Sequence, residues 1–385
     1  MLLYVKYGEL SLKGGNRKDF VNCLNRNIKF SLKKFTSVSI KKEYDSCTIN
    51  SIQENEYEEI LEIVKNISGI SWIIKGFYST LNVDEICEDI CKQLPKNSPK
   101  TFKIETKRQN KNYYLNSMEM NMKLGGLILD KMENYKVNVK NPEIKINVEI
   151  KYEKSIFYFD KIPGFGGFPL GINGRILILI SGGIDSPVAS KLLIKKGFIV
   201  DFLTFITPPH TNPKSLEKVE KLIKVITLNE VLYKPKLYIC NFTNLQQELS
   251  HMSDKTYQIT IMRRYFFKIA RDLAIQNKYL GIATGESVGQ VASQTVQSMQ
   301  TIQNSINDFL ILRPLLTYDK SEIIELAIKF KTYEISIEPY IDCCALFVPK
   351  NPVTRPTIHK VLKIEEELDL AEEIYKKIIP KIIIK

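Results

Sequence analysis

The sequence predicts an α/β protein with a doubly wound parallel sheet in its second half and smaller α+β units in its first half. Three observations lead to this prediction. Five branched aliphatic residues, 176–180, run into a glycine loop that is followed by helical apolar spacing. From there, strand-like and helix-like segments alternate, which is typical of a parallel sheet covered on both faces. Residues 163–171 are rich in Gly and Pro and are predicted to link the two halves.

The first half begins with a small α+β unit over residues 1–58. The apolar residues of its helix recur every four positions, and those of its later strands alternate. Its predicted elements are a strand at 1–7, a helix at 17–33 and strands near 38–40 and 47–49. A second α+β unit follows over residues 59–165. Its predicted elements are helices at 57–65 and 83–94, and strands at 71–78, from 101 to Lys107, at 144–150 and at 155–159.

The second half, residues 166–385, is predicted to alternate strands and helices. The strands are expected at 176–180, 199–205, 237–242, 279–284 and 309–315, and the helices at 188–196, 257–276 and 319–329, with another after Arg355. In such a sheet, ligands bind beyond the carboxyl ends of the strands. The candidate residues of this half follow the ends of these strands or lie in the helices between them.

The first strand of this sheet ends in a loop with the chemistry of a phosphate site. Gly182 and Gly183 leave backbone N–H groups uncovered, and Asp185 and Ser186 stand where a helix should begin. Backbone donors and the positive end of the helix dipole would meet a bound phosphate there. The spacing matches neither the P-loop nor the Rossmann fingerprint, and an ordinary glycine turn is the alternative. The sequence SGGIDS, which starts at Ser181, resembles the pyrophosphate loop of ATP pyrophosphatases.

Two further candidates follow the second strand and lie in the long helix. Thr204 and Phe205 end the second strand, where they are placed to border a purine ring, although core packing explains Phe205 equally well. Arg263 and Arg264 are adjacent in the helix and cannot share one face. We therefore expect one arginine to reach a phosphate and the other to stay solvated.

The loops after the fourth and fifth strands supply the remaining candidates of this sheet. The sequence TGESVGQVASQT, which contains Gly285 and Gln294, is more typical of a ligand loop than of simple turn chemistry. Asp319 and Lys320 start the next helix. Asp319 is explained by helix capping alone, whereas the lysine can point its compact charge at phosphates.

Composition favours a polyanionic partner. The net charge is +12 and the pI is near 9.1, although basic residues spread over solvated faces would give the same values. Seven cysteines in 385 residues indicate reduced thiols, and Cys87 and Cys91 on one helical face are expected to be buried rather than metal ligands. No stretch approaches the roughly 20 apolar residues of a membrane span. We expect no metal site, no membrane contact and a cytoplasmic protein.

Two clusters of charged residues are candidates for contact with RNA. The first consists of Lys103, Lys107, Arg108 and Lys111, with Tyr113 and Tyr114 close behind. Basic groups beside aromatic rings suit phosphate contact and base stacking, and a solvated strand end is the alternative. The second cluster consists of Glu9, Lys13 and Arg17, for which an ordinary solvated turn is an equally good explanation.

Cys343 and Cys344 are adjacent in the sequence PYIDCCALF. Adjacent cysteines seldom bond to each other without strain. A reactive thiol is one interpretation, but it requires a lowered pKa and access to solvent, which a sequence does not display. An unreactive pair remains the alternative on these grounds.

Six motifs in this order resemble those of the ThiI family of tRNA 4-thiouridine synthetases, and the resemblance covers essentially the whole chain. The motifs are YGELSLKG, SGGIDSPVA, MRR, TGESVGQVASQT, RPLLTYDKSEI and PYIDCCALF. The resemblance implies a ferredoxin-like domain at 1–58 and a THUMP domain at 59–165 that binds the acceptor end of tRNA. It also implies a PP-loop ATP pyrophosphatase domain at 166–385, with the adenine nucleotide alpha hydrolase-like fold.

The reaction implied by the resemblance is ATP-dependent replacement of oxygen by sulfur at C4 of uridine 8 in tRNA. ATP adenylates that oxygen, and a persulfide sulfur then displaces AMP. The positions that match the family's ATP contacts are Leu179, Ile180, Thr204, Phe205, Arg263, Gly285 and Gln294. Asp185 and Lys320 match its activity-critical acid and base. Mg²⁺ is expected to neutralise the triphosphate.

The family's catalytic cysteine falls on the Cys343–Cys344 pair, and the downstream spacing favours Cys343. In longer members a C-terminal rhodanese domain carries the persulfide and is associated with a second role in making the thiamine thiazole. We expect this chain to be a short form without that domain or that role. Its sulfur would come from a cysteine desulfurase or another persulfide carrier, and the resemblance makes a homodimer plausible. The alternatives are another PP-loop tRNA-modifying enzyme, such as a 2-thiouridine synthase or lysidine synthetase, and a non-catalytic RNA-binding protein.

Overall fold

The computed structural model describes residues 2–8, 10, 14–43, 46–96, 100–227, 232–340, 349, 351–368, 370–378 and 381–384. The chain divides into two compact units, Met1–Gly166 and Gly167–Lys385. Within the described ranges, no helix combines the length and the apolar character that crossing a membrane requires.

The first unit is built on a sheet that has nine strands within the described residues. They are β1 (Leu2–Lys6), β2 (Ser39–Lys42), β3 (Ser46–Asn50), β4 (Trp72–Ser79), β5 (Lys100–Arg108), β6 (Tyr135–Val137), β7 (Ile144–Ile150), β8 (Ser155–Tyr158) and β9 (Ile162–Pro163). Their order is β2-β3-β1-β4-β8-β7-β5-β6, and β9 pairs with β4. β5 is parallel to β6 and β7, and the other pairs are antiparallel.

The helices of this unit are α1 (Arg17–Ser31), α2 (Tyr57–Lys65), α3 (Val83–Gln93) and α4 (Ser117–Lys131). Helices α3 and α4 pack with β5 and β7 in one apolar core, to which they contribute Ile86, Ile90, Leu124 and Ile128. α4 starts with a capping box, in which Asn116 Oδ1 accepts from Glu119 N and the Glu119 carboxylate accepts from Asn116 N. The sequence did not predict α4, because Gly125 and Gly126 interrupt its apolar pattern.

The second unit contains a sheet that has six strands within the described residues. They are β10 (Arg175–Leu179), β11 (Ile199–Ile206), β12 (Lys236–Asn241), β13 (Ile282–Ala283), β14 (Ile311–Leu312) and β15 (Lys381–Ile384). Their order is β14-β13-β10-β11-β12-β15. The first five are parallel, and β15 runs antiparallel to β12. The predicted doubly wound parallel sheet is confirmed, although β13 and β14 are shorter than predicted and β15 was not predicted.

Helices cover both faces of this sheet. They are α5 (Asp185–Lys195), α6 (Pro213–Thr227), α7 (Thr243–Leu249), α8 (Gln258–Gln276), α9 (Val296–Gln303), α10 (Lys320–Lys329), α11 (Tyr333–Ser336), α12 (Ile358–Glu366) and α13 (Ala371–Lys377). One apolar core includes residues of α5, α6 and α10, and the other includes residues of α7, α8, α9 and α12. The chain leaves β10 toward β11 and later returns on its other side as β13. Such a reversal of strand order opens a crevice at the carboxyl ends of the strands.

Candidate active site

A cavity of about 260 Å³, here called the switch-point cavity, lies at the carboxyl ends of β10, β11 and β13. Most of the predicted site residues line it: Leu179, Ile180, Ser181, Asp185, Ser186, Thr204, Phe205, Arg263, Gly285 and Gln294. Phe266, Phe267, Thr284 and Glu286 complete the lining. The fold therefore brings together residues from distant parts of the sequence at the place where this sheet topology binds ligands.

The SGGIDS loop at this cavity is organised by hydrogen bonds of its own. Ser186 Oγ accepts from Ser181 N at 2.9 Å, and Ser181 Oγ accepts from Gly183 N at 3.3 Å. Because α5 starts at Asp185, the positive end of its dipole lies at the cavity. Gly183 has no positive φ, and a Cβ added there would meet only Ser181 Oγ, at 3.5 Å. Its role is therefore to leave space beside the loop rather than to allow an unusual backbone angle.

Asp185 and Lys320 form an ion pair at the edge of the cavity. Lys320 Nζ lies 2.6 Å from Asp185 Oδ1, and Gln290 Nε2 donates to Asp185 Oδ2 at 2.8 Å. Lys320 is the first residue of α10, whose start is fixed by a 2.8 Å bond from Asp319 N to Glu322 Oε2. The side chains of Lys320 and Asp185 are 44% and 22% exposed. A negatively charged ligand can therefore reach the ammonium group.

The apolar wall of the cavity is aromatic. The rings of Phe205 and Phe266 are stacked, with centroids 3.8 Å apart and planes at 12°. Phe242 meets both rings edge-on from the core. The ring of Phe205 therefore packs against the core and also lines the cavity. A flat apolar wall of this kind suits the face of a purine.

Glu286 is a buried carboxylate that joins two arginines at the cavity. It is 2% exposed; its Oε1 accepts from Arg263 Nη2, and its Oε2 accepts from Arg313 Nε at 2.8 Å. Thr284 Oγ1 donates to the same Oε2 at 2.8 Å. Burial by itself raises the pKa of a carboxyl group, but the two guanidinium groups outweigh burial and hold the pKa of Glu286 below its usual value. The trio therefore carries two positive charges and one negative charge.

Gln294 lies buried on the same cavity. Its side-chain oxygen Oε1 has no hydrogen-bond partner among the described residues. Its backbone is fixed, since its carbonyl accepts from Gly289 N at 2.9 Å and its N–H donates to Val291 O at 2.8 Å. Buried polar groups are usually hydrogen-bonded, so this amide suits a ligand that offers a donor.

The chain that leads toward the two adjacent cysteines is anchored close to the loop. Ser336 Oγ donates to Gly183 O at 3.3 Å. Lys218, on α6, donates to Glu338 O at 2.8 Å, and Lys221 Nζ lies 3.1 Å from a carboxylate oxygen of Glu338. Cys343 and Cys344 themselves lie outside the described residues.

In the first unit, a second cavity of about 330 Å³, here called the basic groove, contains two of the predicted RNA contacts. Lys107 and Arg108 line it together with Lys6, Trp72, Ile74, Gln109, Glu149, Tyr158 and Lys161. Trp72 is 45% exposed, so an aromatic surface lies among the cationic groups. Of the other predicted contacts, Lys103 is half-buried on β5, Lys111 is exposed, and Arg17 is half-buried at the start of α1. Glu9 and Lys13 lie outside the described residues.

The tyrosines that follow the groove residues differ from each other. Tyr113 is buried in the core, and its hydroxyl donates to Leu81 O at 2.7 Å. The expectation that Tyr113 stacks on a base is therefore wrong, whereas Tyr114 is 67% exposed. Arg108 Nη1 donates to Tyr113 O at 3.3 Å and to Leu115 O at 3.0 Å. Arg108 thus also holds the backbone of this loop.

Comparison with known proteins assigns the chain to a family. A family model described as thiamine biosynthesis protein (ThiI) matches residues 171–370. Models of the ThiI ferredoxin-like domain and of the THUMP domain match residues 2–73 and 79–160. A probable tRNA sulfurtransferase from Ureaplasma urealyticum is 47% identical over 384 residues, covering 100% of this chain and 98% of that protein. The chain belongs to the ThiI family.

Two further relatives agree with this assignment. A probable tRNA sulfurtransferase from Thermoanaerobacter pseudethanolicus is 42% identical over 368 residues, covering 96% of this chain and 95% of that protein. A crystal structure of a 4-thiouridine synthetase–RNA complex with bound ATP is 35% identical, with a TM-score of 0.86 and 99% of each chain covered. The predicted ThiI family, its fold and its enzyme class, tRNA sulfurtransferase, are thereby confirmed.

The expectation that the second arginine of α8 stays solvated is wrong. Arg264 is not solvated, because Glu365 accepts from its Nε and Nη2, each at 2.9 Å, and Thr301 O accepts from its Nη1 at 2.6 Å. The side chain is 2% exposed. Arg263 is the arginine that faces the cavity. Sequence spacing separated the two faces of the helix, but it could not reveal the distant carboxylate that buries the second charge.

Five residues at or beside the cavity were not predicted as site residues, namely Phe266, Phe267, Thr284, Glu286 and Arg313. Glu286 had one local signal, since it directly follows Gly285 at the end of a buried strand. Phe266 had none, because an aromatic residue on a helix is usually part of the core. Arg313 directly follows β14, but nothing in the sequence joins it to Glu286.

Proposed function

We propose that the chain is a tRNA 4-thiouridine synthetase that adenylates O4 of uridine 8 with ATP and replaces that oxygen with sulfur. The observation that carries this proposal is the switch-point cavity, which combines a phosphate-type loop, an accessible Lys–Asp pair and an aromatic wall. Membership of a family of tRNA sulfurtransferases supports it. The similar 4-thiouridine synthetase whose structure holds both RNA and ATP supports the same two substrates.

In this proposal, ATP lies with its phosphates at the SGGIDS loop and its base at the aromatic wall. Ser181, Gly182, Gly183 and Ser186 contribute the loop donors and hydroxyls, and the α5 dipole favours the negative charge. The base lies between Leu179, Ile180, Thr204 and Phe205, where Gln294 Oε1 can accept from an amino group. Arg263 and Gly285 complete the contacts. This arrangement orients the α-phosphate toward the edge of the cavity where Asp185 and Lys320 lie.

The chemistry proceeds by activation and displacement. Uracil O4 attacks the α-phosphorus, the bond to the bridging oxygen breaks, and pyrophosphate leaves with the electron pair. Lys320 stabilises the negative charge that develops on pyrophosphate, and Asp185 holds the ammonium group in place before ATP enters. The terminal sulfur of a persulfide on Cys343 or Cys344 then attacks C4, and AMP leaves. A thiol finally breaks the sulfur–sulfur bond and is itself oxidised to a disulfide.

Magnesium fits this site as a companion of the triphosphate. Among the described residues, no group of three or more His, Cys, Asp or Glu side chains could hold a metal. Both carboxylates of the cavity are engaged, Asp185 by Lys320 and Gln290, and Glu286 by two arginines. The donor set therefore suits an ion held mainly by phosphate oxygens, with Asp185 as its protein contact. When bound, Mg²⁺ would neutralise phosphate charge.

The first unit is proposed to bind the acceptor end of tRNA. The basic groove supports this role, with Lys107 and Arg108 at the groove and Lys103 and Lys111 on neighbouring positions of the same segment. The net charge of +12 favours the same partner. A cysteine desulfurase or another persulfide carrier would supply the sulfur. We further propose that the protein acts on tRNA in the cytoplasm and that it forms a homodimer.

The test is incubation of the purified protein with unmodified tRNA, Mg·ATP, cysteine and a desulfurase, followed by nucleoside analysis of the digested tRNA. The expected product is 4-thiouridine, lost in either the Cys343→Ser or the Cys344→Ser variant and absent from a tRNA that carries cytidine in place of uridine 8. A 2-thiouridine or lysidine product would identify a different PP-loop tRNA-modifying enzyme. The absence of both a modified nucleoside and tRNA-dependent AMP would identify a non-catalytic RNA-binding protein.

A further inference from the structure

We propose that Glu286 is a positioning residue for ATP, which holds the Arg263 guanidinium in the orientation that meets the nucleotide. The inference rests on the proposed function only in that ATP is the ligand of the switch-point cavity. Glu286 itself is only 2% exposed, which is too little for its carboxylate to contact a solvated substrate directly. Its contacts instead point to a residue that acts through Arg263.

The contacts of Arg263 define what Glu286 fixes. Arg263 Nη2 donates to Glu286 Oε1, and Nη1 donates to Ser293 Oγ at 3.3 Å. Its Nε is buried and has no hydrogen-bond partner among the described residues. The protein therefore holds the guanidinium through Nη1 and Nη2, and the buried Nε remains as a donor. An arginine held by a carboxylate loses little additional rotamer freedom when a ligand binds.

Glu286 is in turn held by an arginine that does not line the cavity. Arg313 Nε donates to Glu286 Oε2 at 2.8 Å, and Arg313 Nη1 donates to Gln303 Oε1 at 2.9 Å. Arg313 is not among the residues that line the cavity. A chain of hydrogen bonds therefore runs from Gln303 on α9 through Arg313 and Glu286 to Arg263.

The backbone of Glu286 is fixed by its neighbour. A Cβ added to Gly285 would lie 2.7 Å from Ser186 N and 2.8 Å from the carbonyl carbon of Asp185. The end of β13 is therefore packed directly against the start of α5. Glu286 is thus held at a constant distance from the SGGIDS loop, which the proposal assigns to the phosphates. Without its negative charge, the guanidinium groups of Arg263 and Arg313 would repel each other at close range.

A purely structural ion pair is the competing explanation, and the same helix offers a matched control. Arg264, the residue next to Arg263, is held by Glu365 through two 2.9 Å bonds. This second pair is also buried, but neither residue lines the cavity. Glu365→Gln, on α12, therefore removes a comparable carboxylate partner from an arginine of α8 without touching the ATP contacts.

The experiment measures the affinity of the full chain for α,β-methylene-ATP by calorimetry, alongside tRNA affinity and the unfolding midpoint. Glu286→Gln is expected to weaken nucleotide binding by about 10- to 100-fold, since bonds to charged groups are among the stronger ones. Glu286→Asp, which keeps the charge, should weaken binding less. Glu365→Gln should lower the unfolding midpoint but leave nucleotide affinity within about twofold. tRNA affinity should be the same in all these variants.

A double-mutant cycle tests whether Glu286 acts through Arg263. In the Arg263→Ala background, Glu286→Gln should cause no further loss of nucleotide affinity. The inference is overturned if Glu286→Gln binds the nucleotide like the unmodified chain, or if its effect persists in that background. If Glu286→Gln does not fold, the cycle is run with Glu286→Asp, whose smaller loss of affinity should likewise disappear in the Arg263→Ala background, and a loss that persists there overturns the inference. An unmodified chain that binds the nucleotide but makes no 4-thiouridine would contradict the proposed function and leave this inference intact.

Discussion

Replacing Lys320 by alanine should remove most of the activity while leaving the fold almost unchanged. The Lys320–Asp185 pair is 44% and 22% exposed, and pairs so accessible to water contribute about 0–1 kcal/mol to stability. A cation that stabilises developing charge in an active site contributes far more to the rate, about 2.7–4 kcal/mol or roughly 10²- to 10³-fold. We therefore expect tRNA-dependent AMP formation to fall by about 10²- to 10³-fold. The unfolding midpoint should shift by less than about 4 °C.

The assay is single-turnover release of AMP from ATP in the presence of unmodified tRNA, with thermal unfolding measured on the same samples. Lys320→Arg keeps the charge and should recover part of the rate. Lys329→Ala, at the exposed last turn of the same helix, is the matched control and should behave like the unmodified chain. A rate within about fivefold of the unmodified chain, or a midpoint that falls in proportion to activity, would refute the assignment of Lys320 to the phosphates.

Three further outcomes follow from the structure. Lys107→Ala should weaken tRNA binding and reduce the slope of log K against log salt by about 1 at an unchanged unfolding midpoint. Arg108→Ala should also lower the unfolding midpoint, because it loses two backbone contacts. Filter binding measures the tRNA affinity of both variants, and equal unfolding midpoints for Lys107→Ala and Arg108→Ala would contradict this prediction. Gly285→Ala should abolish nucleotide binding in calorimetry, because its Cβ would lie 2.7 Å from Ser186 N. Gly183→Ala has room for a Cβ and should keep the circular dichroism spectrum of the unmodified chain. The pKa of Glu286 is lower in the folded than in the unfolded chain, so its stabilisation is present above the unfolded value of about 4.3 and is lost as pH falls through the folded value. Urea unfolding at several acidic pH values should therefore show a flatter pH dependence for Glu286→Gln, and an unchanged slope would contradict this.

The sequence predicted the strand, loop and helix around SGGIDS because every signal there is local. The apolar run of β10, the SGGIDS loop and the start of α5 at Asp185 are adjacent in the chain, and each requires only its neighbours. The helix α4 was missed because its stability comes from packing on β5 and from the Asn116 capping box, whereas Gly125 and Gly126 weaken its local pattern.

Contacts between distant segments account for the remaining differences. Arg264 was expected in solvent because its partner Glu365 lies far along the chain, and Tyr113 was expected on the surface because Leu81 O was not visible as its acceptor. The hydrogen bonds that join Arg263, Glu286 and Arg313 were missed for the same reason, since these residues lie on α8, after β13 and after β14. Residue types predicted which groups belong near phosphate, but only the fold shows which groups neutralise each other.

Ser336 is anchored to the SGGIDS loop and Glu338 to α6, shortly before the two adjacent cysteines in the sequence. Four residues lie between Glu338 and Cys343 in the sequence, and the five Cα-to-Cα steps from one to the other span at most about 18 Å when fully extended. Glu338 itself is held to α6 by Lys218 and Lys221. A tether of a few residues corresponds to an effective concentration in the millimolar range or above. In the proposed reaction, a persulfide carried by Cys343 or Cys344 would therefore react as a tethered group of the enzyme, rather than as a separate molecule that must diffuse to the activated uridine.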